Sequence, residues 1–150
     1  MKTPSSPHGT AAWLAVVRAY NLCDAVISTR LAKVGVRVAE HEVLANLSTA
    51  PGITQQTLAQ RCFVAKSHTS MLLKQMEADG LVRREADPAD ARAKLLFLTP
   101  SGAALARKTM KVQAEVVSAM ASTLTVKELA LVEKLMAPAC EVLEAMLAEG

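Results

Sequence analysis

Aromatic side chains are nearly missing from this chain of 150 residues: Trp13, Tyr20, Phe63 and Phe97 are the full set. The core must therefore be built from Leu, Val, Ala and Met, which suits helices. Uninterrupted apolar runs are short as well, and none approaches the roughly 18–20 residues that span a bilayer. The opening MKTPSSPHGT lacks the apolar segment of a signal peptide. Residues 1–10 are thus expected to form a flexible tail, and the chain to be cytoplasmic with no membrane partner. Cysteine is scarce and unpaired. Cys23, Cys62 and Cys140 form no C-x-x-C, and His8, His41 and His68 lack the spacing of zinc partners. No metal and no cofactor are expected. An odd count of thiols implies reduced cysteines, most simply three small buried apolar residues. A redox-sensing thiol is the second reading, and Cys23 is its first candidate because it lies in a long helix. A Ser/His/Asp set, paired carboxylates and a phosphate loop are also missing, which argues against an enzyme. Glu40, His41 and Glu42 are adjacent but point to different helix faces.

What is present is a chain that is 51% apolar, too hydrophobic to be disordered. Its length allows one domain with a core, or one core plus a helical extension. The net charge of +3 says little, but its distribution says more. Residues 53–102 carry seven Lys/Arg against five Asp/Glu, net +2, whereas residues 126–150 carry two Lys against five Glu, net −3. The basic charge lies away from the C-terminal end, as a DNA-facing side requires.

Periodicity predicts a first helix from Ala11 to about Lys33, with Trp13, Val16, Val17, Tyr20, Cys23, Ile27, Leu31 and Val34 in one stripe. Gly35 closes it. A shorter helix runs over Ala39–Leu47, before the breaker Ser48-Thr49-Ala50-Pro51-Gly52. Thr54 caps a third helix through Arg61 without a full capping box. A fourth spans about Ala65–Asp79 and stops at Gly80. Leu81–Glu85 and Lys94–Leu98 read as strands flanking a polar loop, residues 86–93. Thr99 and Pro100 start a helix that continues to about Ser122. Thr125 caps the last helix, whose stripe is Leu129, Val132, Met136, Cys140, Leu143 and Leu147, and Pro138 should kink it near Lys134. The long apolar helices at the two ends exceed what the small middle can cover. A twofold dimer whose core comes from both ends of the chain is the simplest solution.

The fourth helix sorts into two faces. Thr69, Leu72, Leu73 and Met76 point to the core, while Ser67, Met71, Lys74 and Ala78 point away, flanked by His68, Ser70 and Gln75. Small hydroxyls near the helix start, followed by a cation, suit a helix entering the major groove by its N-terminal end. Ser67 and His68 are placed to reach base edges; Lys66 and Lys74 are placed to reach phosphates. The hairpin adds Arg83, Arg84, Arg92 and Lys94. Asp90 either holds the loop or orients Arg92 through a charge-assisted bond, so that the guanidinium projects into a minor groove.

These residues resemble the MarR family of bacterial winged-helix regulators. The resemblance rests on Leu58-Ala59, Lys66-Ser67, Gly80-Leu81-Val82-Arg83-Arg84, and Asp87-Pro88-Ala89-Asp90-Ala91-Arg92 followed by Leu95-Leu96-Phe97-Leu98-Thr99-Pro100-Ser101-Gly102. It covers nearly everything past residue 10. It implies a mainly α fold: a winged helix-turn-helix with a small β-hairpin wing, and an all-helical dimerisation region from both termini. The expected division is tail 1–10, dimerisation helix 11–35, DNA-binding lobe 36–102 and C-terminal dimerisation helices 103–150. The resemblance further implies a homodimer on a pseudo-palindromic double-stranded operator, commonly as a repressor, with Arg92 in the minor groove. Release by a small aromatic effector is part of the same implication, with a crevice near Trp13, Val17, Tyr20, His41 and Met110. Two alternatives stay open: a redox-responsive DNA-binding regulator, and a winged-helix protein-interaction module that leaves DNA alone. The chain departs from the family pattern at Phe63, where Gly is frequent, at Ala65, where a Ser or Thr cap is usual, at Met71, where Arg is common, and at Ala91, where a second basic residue is common.

Overall fold

The computed structural model describes residues 8–62 and 66–150, with the side chains of Lys66 and Ser67 outside that description. Phe63, Ala65 and most of the N-terminal tail lie outside the described residues. The element order is α1 (Thr10–Lys33), α2 (Val38–Thr49), β1 (Ile53–Thr54), α3 (Gln55–Arg61), α4 (Lys66–Ala78), β2 (Val82–Ala86), β3 (Lys94–Leu98), α5 (Pro100–Ala121) and α6 (Val126–Glu149). The chain divides into two compact units, residues 1–114 and 115–150.

In the first unit, local chemistry sets the element ends. Thr54 Oγ1 accepts from the Thr57 amide at 3.2 Å and so caps α3. Gly35 and Gly80, with φ of 76° and 71°, take the left-handed conformation that turns the chain out of α1 and α4. α2 runs two residues beyond the expected Leu47, and the turn comes at Pro51-Gly52. The sheet holds one strand more than the sequence predicted. β1 pairs antiparallel with β3 through Ile53–Leu96 and Thr54–Leu95, so β3 is central and β2 lies on its other side. A two-residue strand carries no readable alternation, which is why only tertiary pairing reveals it.

The core gathers Val43, Leu44 and Leu47 of α2, Leu58 and Cys62 around α3, Leu73 and Met76 of α4, Val82, Leu96, and Ala106 of α5. Thr99 locks the wing to this core. Its amide donates to Leu81 O at 3.0 Å, its hydroxyl donates to Gly80 O at 2.5 Å, and the same oxygen accepts from the Gly102 amide at 3.0 Å. α5 therefore starts where α4 and β2 meet.

α1 is exposed along most of its stripe: Trp13 is 61% accessible and Tyr20 64%, and only Leu31 is buried. By length and composition α1 also qualifies as a bilayer-crossing helix, although it holds no uninterrupted apolar run of that length. Arg18 and Asp24 interrupt its apolar stretch, and each would cost about 2.5–3.5 kcal/mol at mid-membrane.

In the second unit, Thr125 and Glu128 form a reciprocal cap on α6, with Glu128 N donating to Thr125 Oγ1 at 3.2 Å and Thr125 N donating to Glu128 Oε2 at 2.7 Å. These bonds favour the ionised carboxylate and hold Glu128 below the ordinary carboxylate range. The helix is continuous through Pro138, and its whole apolar stripe is exposed. The expectation of three buried cysteines holds only for Cys62; Cys23 is half-buried and Cys140 exposed. Cys140 sits on a stripe that nothing within the second unit covers.

Candidate nucleic-acid interface

α4 presents a sharply divided surface. Thr69, Leu73 and Met76 are buried and Leu72 is half-buried, while His68, Met71, Lys74, Gln75 and Ala78 are exposed. Ser70 is half-buried at the boundary between the two faces. The buried face anchors the helix against the core, so the exposed face is held rigidly outward. Gln75 Nε2 donates to Asp79 Oδ1 at 3.1 Å at the C-terminal end.

The wing is shaped by its aspartates. Asp90 Oδ1 accepts from the Arg92 amide at 3.0 Å, and Asp87 Oδ1 accepts from the Ala89 amide at 2.9 Å. Backbone bonds from Asp87 N to Ala93 O and from Ala93 N to Asp90 O close the loop. Of the two roles foreseen for Asp90, the structure places it as a loop holder bonded to the Arg92 backbone. Among the described residues the guanidinium of Arg92 has no ion-pair partner, and neither do the ammonium groups of Lys74 and Lys94. These three side chains are exposed cations available to a polyanion.

The other two cations of the hairpin have carboxylate partners, Arg84 half-buried and Arg83 at the surface. Arg84, half-buried, donates from Nε to Glu77 Oε2 at 2.8 Å and from Nη1 to Gln55 Oε1 at 2.9 Å. It braces the wing against α4 and α3, a structural role that the reading of Arg84 as a DNA-binding residue did not include. Arg83 pairs with Glu85 and lies over the Phe97 ring at 4.6 Å, an arrangement that holds its stem against the sheet. Strand alternation places both arginines on the hairpin, but it carries no signal that pairs Arg84 with Glu77, 7 residues away, or with Gln55, 29 away.

Between the wing and the start of α3 lies a groove of about 550 Å³ lined by Thr54, Gln55, Gln56, Arg84, Asp87, Asp90, Arg92, Ala93 and Lys94. Gln55 and Gln56 were not singled out from sequence, because neutral amides carry no charge signal. On the other side of α4, a concavity of about 400 Å³ is lined by Arg37, Ala39, His68, Met71, Leu72 and Gln75.

The residues expected to line an effector crevice are dispersed in character. Trp13 and Tyr20 are exposed, Val17 and Met110 are half-buried, and His41 is buried. None of them lines either concavity beside α4. His41 Nε2 lies 2.7 Å from Gln113 Oε1, which joins α2 to α5. With the amide oxygen accepting, Nε2 carries the proton and Nδ1 remains a buried acceptor without a partner among the described residues.

Cys62 closes α3 just ahead of α4. Asn46 donates to its sulfur at 3.6 Å, and Arg61 Nε donates to Asn46 Oδ1 at 2.9 Å. Burial, helped by the nearby Glu42 carboxylate, pushes the thiol up to about 11. Glu42 is itself raised by burial and by Asp24. A thiol held neutral in this way is a poor nucleophile.

The sequence model of the MarR family matches residues 34–93. The transcriptional regulator HosA of Escherichia coli O111:H- is 38% identical over 63 residues, 42% of this chain, and the chain spans about half the length of that relative, 47%. The crystal structure of AbsC, a MarR family regulator from Streptomyces coelicolor, superposes with a TM-score of 0.83 at 26% identity, covering 93% of this chain and 97% of AbsC. A MarR family transcriptional regulator from Silicibacter pomeroyi is 30% identical, with 87% of this chain and 90% of that one covered and a TM-score of 0.73. An outward-held helix beside a cation-tipped wing, and a relative at this identity over nearly its whole length, lead to one assignment: the chain belongs to the MarR family of transcriptional regulators.

Proposed function

We propose that the protein is a cytoplasmic, sequence-specific regulator that binds a pseudo-palindromic double-stranded operator as a homodimer, acts as a repressor, and is released by a small aromatic effector. The observation that carries DNA binding is the pairing of α4, whose exposed face holds His68 and Lys74, with a wing whose Arg92 guanidinium has no ion-pair partner among the described residues. The helix reads the major groove, Arg92 enters the adjacent minor groove, and Lys74 and Lys94 contact phosphates. Lys66, Ser67 and Ser70 belong to the same surface by sequence position. Arg84 lines the groove with Arg92 and Lys94 and braces the wing, and Arg83 projects from the opposite face of β2.

The homodimer is supported by the exposed apolar stripes of α1 and of α6, which exceed what a free surface normally leaves uncovered. Effector response is supported by His41 Nδ1, a buried acceptor on α2 without a partner among the described residues, whose ring is fixed by the Nε2 contact to Gln113 of α5, suited to a phenolic or carboxylic hydroxyl. Trp13, Val17, Tyr20 and Met110 complete that proposed site. No step of this function needs catalysis.

Gel-shift titration against the promoter region adjoining the protein's own gene tests the reading. Retardation at nanomolar to micromolar protein, weakening as salt rises, is expected. Failure to retard that duplex or random DNA at low salt would refute it. Aromatic acids that neither quench Trp13 fluorescence nor release the duplex would remove the effector part alone.

A further inference from the structure

Met71 is 72% exposed, more than any other large apolar side chain described in residues 8–114. Helical spacing places it at the middle of the outward sector of α4: Ser67 and Gln75 fall about 40° to either side, and His68 and Lys74 about 60°. The buried Thr69, Leu73 and Met76 lie opposite. Single exposed apolar residues are ordinary on protein surfaces, but this one occupies the centre of the face that the proposed function puts into the major groove. Its surroundings also differ from those of the other exposed apolar residues. Along α1 and α6 these form continuous stripes, as a protein partner requires, whereas Met71 is flanked by the exposed His68, Lys74 and Gln75 and has only the half-buried Leu72 and Ala39 as apolar neighbours in its concavity.

An apolar side chain in the major groove has one apolar feature to meet. Each base pair presents donors and acceptors there, and only thymine adds a methyl group. Methionine is long, unbranched and polarisable, so it can follow the groove wall and close on a methyl without a fixed rotamer. Lys74, one turn on, reaches the phosphates while Met71 points inward. We propose that Met71 is a specificity-determining residue that selects thymine in each half-site through its 5-methyl group. This inference rests on the DNA-binding reading above.

The test begins with enrichment of duplexes from a random-sequence pool by the full-length protein. If no duplex is enriched, the DNA-binding reading fails and the inference falls with it. For an enriched duplex, each thymine is replaced by uracil, which removes only the methyl. The wild type should lose about fourfold in affinity at one position per half-site, the loss that one buried methyl predicts. M71A should bind the thymine and uracil duplexes equally, with an affinity close to that of the wild type for uracil. M71Q, which keeps the length but is polar, should behave like M71A. Unchanged thermal unfolding of both variants would show that the fold is intact. Either a wild type indifferent to uracil at every position, or an M71A that discriminates as well as the wild type, overturns the proposal while leaving DNA binding in place.

Discussion

Replacing Arg84 by Ala separates a brace from a DNA contact. The side chain makes two charge-assisted bonds, 2.8 Å to Glu77 and 2.9 Å to Gln55, and the Arg84 and Glu77 side chains are 24% and 33% exposed. Fully exposed pairs contribute about 0.2–1 kcal/mol, and breaking a buried pair costs about 3–5 kcal/mol. A partly shielded pair lies between these limits, at about 1–2 kcal/mol. The bond to Gln55 and the packing of the aliphatic stem raise the total for Arg84→Ala to about 2 kcal/mol. For a chain of this size the melting temperature should fall by roughly 4–8 °C, measured by circular dichroism at fixed protein concentration, because a dimer's apparent stability depends on it. A double-mutant cycle with Glu77→Gln should return about 1 kcal/mol of coupling. The salt dependence of DNA binding should keep its slope, since no phosphate contact is lost. A variant with unchanged melting temperature, whose slope drops by about one phosphate contact, would show that Arg84 faces the DNA and that the brace reasoning is wrong.

Arg92→Ala should do the reverse, with melting unchanged, affinity reduced on specific and random duplexes alike, and a shallower slope of log K against log salt by about one unit; an unaltered slope would remove Arg92 from the interface. Cys62 should resist iodoacetamide at pH 8 in the native protein and react at the normal thiol rate in denaturant, because its thiol is raised to about 11. The unfolded thiol ionises near its ordinary value of 9 and the folded one does not, so the contribution of Cys62 to stability is intact below pH 9 and lost as pH rises toward 11. The stability difference between wild type and Cys62→Ala should accordingly shrink over that range, and a constant difference would contradict the assignment. Gly102→Ala should destabilise although alanine favours helices by about 1 kcal/mol. A Cβ there would sit 2.0 Å from the Leu81 carbonyl oxygen and 2.9 Å from its carbon, and forcing backbone apart costs about 1–3 kcal/mol. A rise in melting temperature would show that the α5 start is free to shift.

Local signals were legible in the sequence because they need only neighbours. The caps at Thr54, Thr99 and Thr125, the stops at Gly35 and Gly80, and the division of α4 into Thr69, Leu73 and Met76 against Met71 and Lys74 all follow from spacings of two to four residues. The family resemblance was legible for the same reason, since its motifs are short and contiguous. Other features join residues far apart in the chain and leave no local trace. β1 exists only because Ile53 and Thr54 meet Leu96 and Leu95. His41 pairs with Gln113, 72 positions on, and Cys62 is bonded by Asn46.

The amino-acid sequence by itself determined the helices, their caps and the hairpin, since periodicity and capping act over a few residues, and its short contiguous motifs carried the resemblance to the MarR family. Only the tertiary structure decided which hairpin cations are left without an ion-pair partner. Arg83, Arg84 and Arg92 carry the same charge and lie on the same hairpin, but Glu85 and Phe97 hold the first, Glu77 and Gln55 hold the second, and the loop bonds of Asp90 leave the third free of ion pairing among the described residues. The charge of a guanidinium is intrinsic to the residue; its availability depends on the acceptors that the fold brings within about 3 Å.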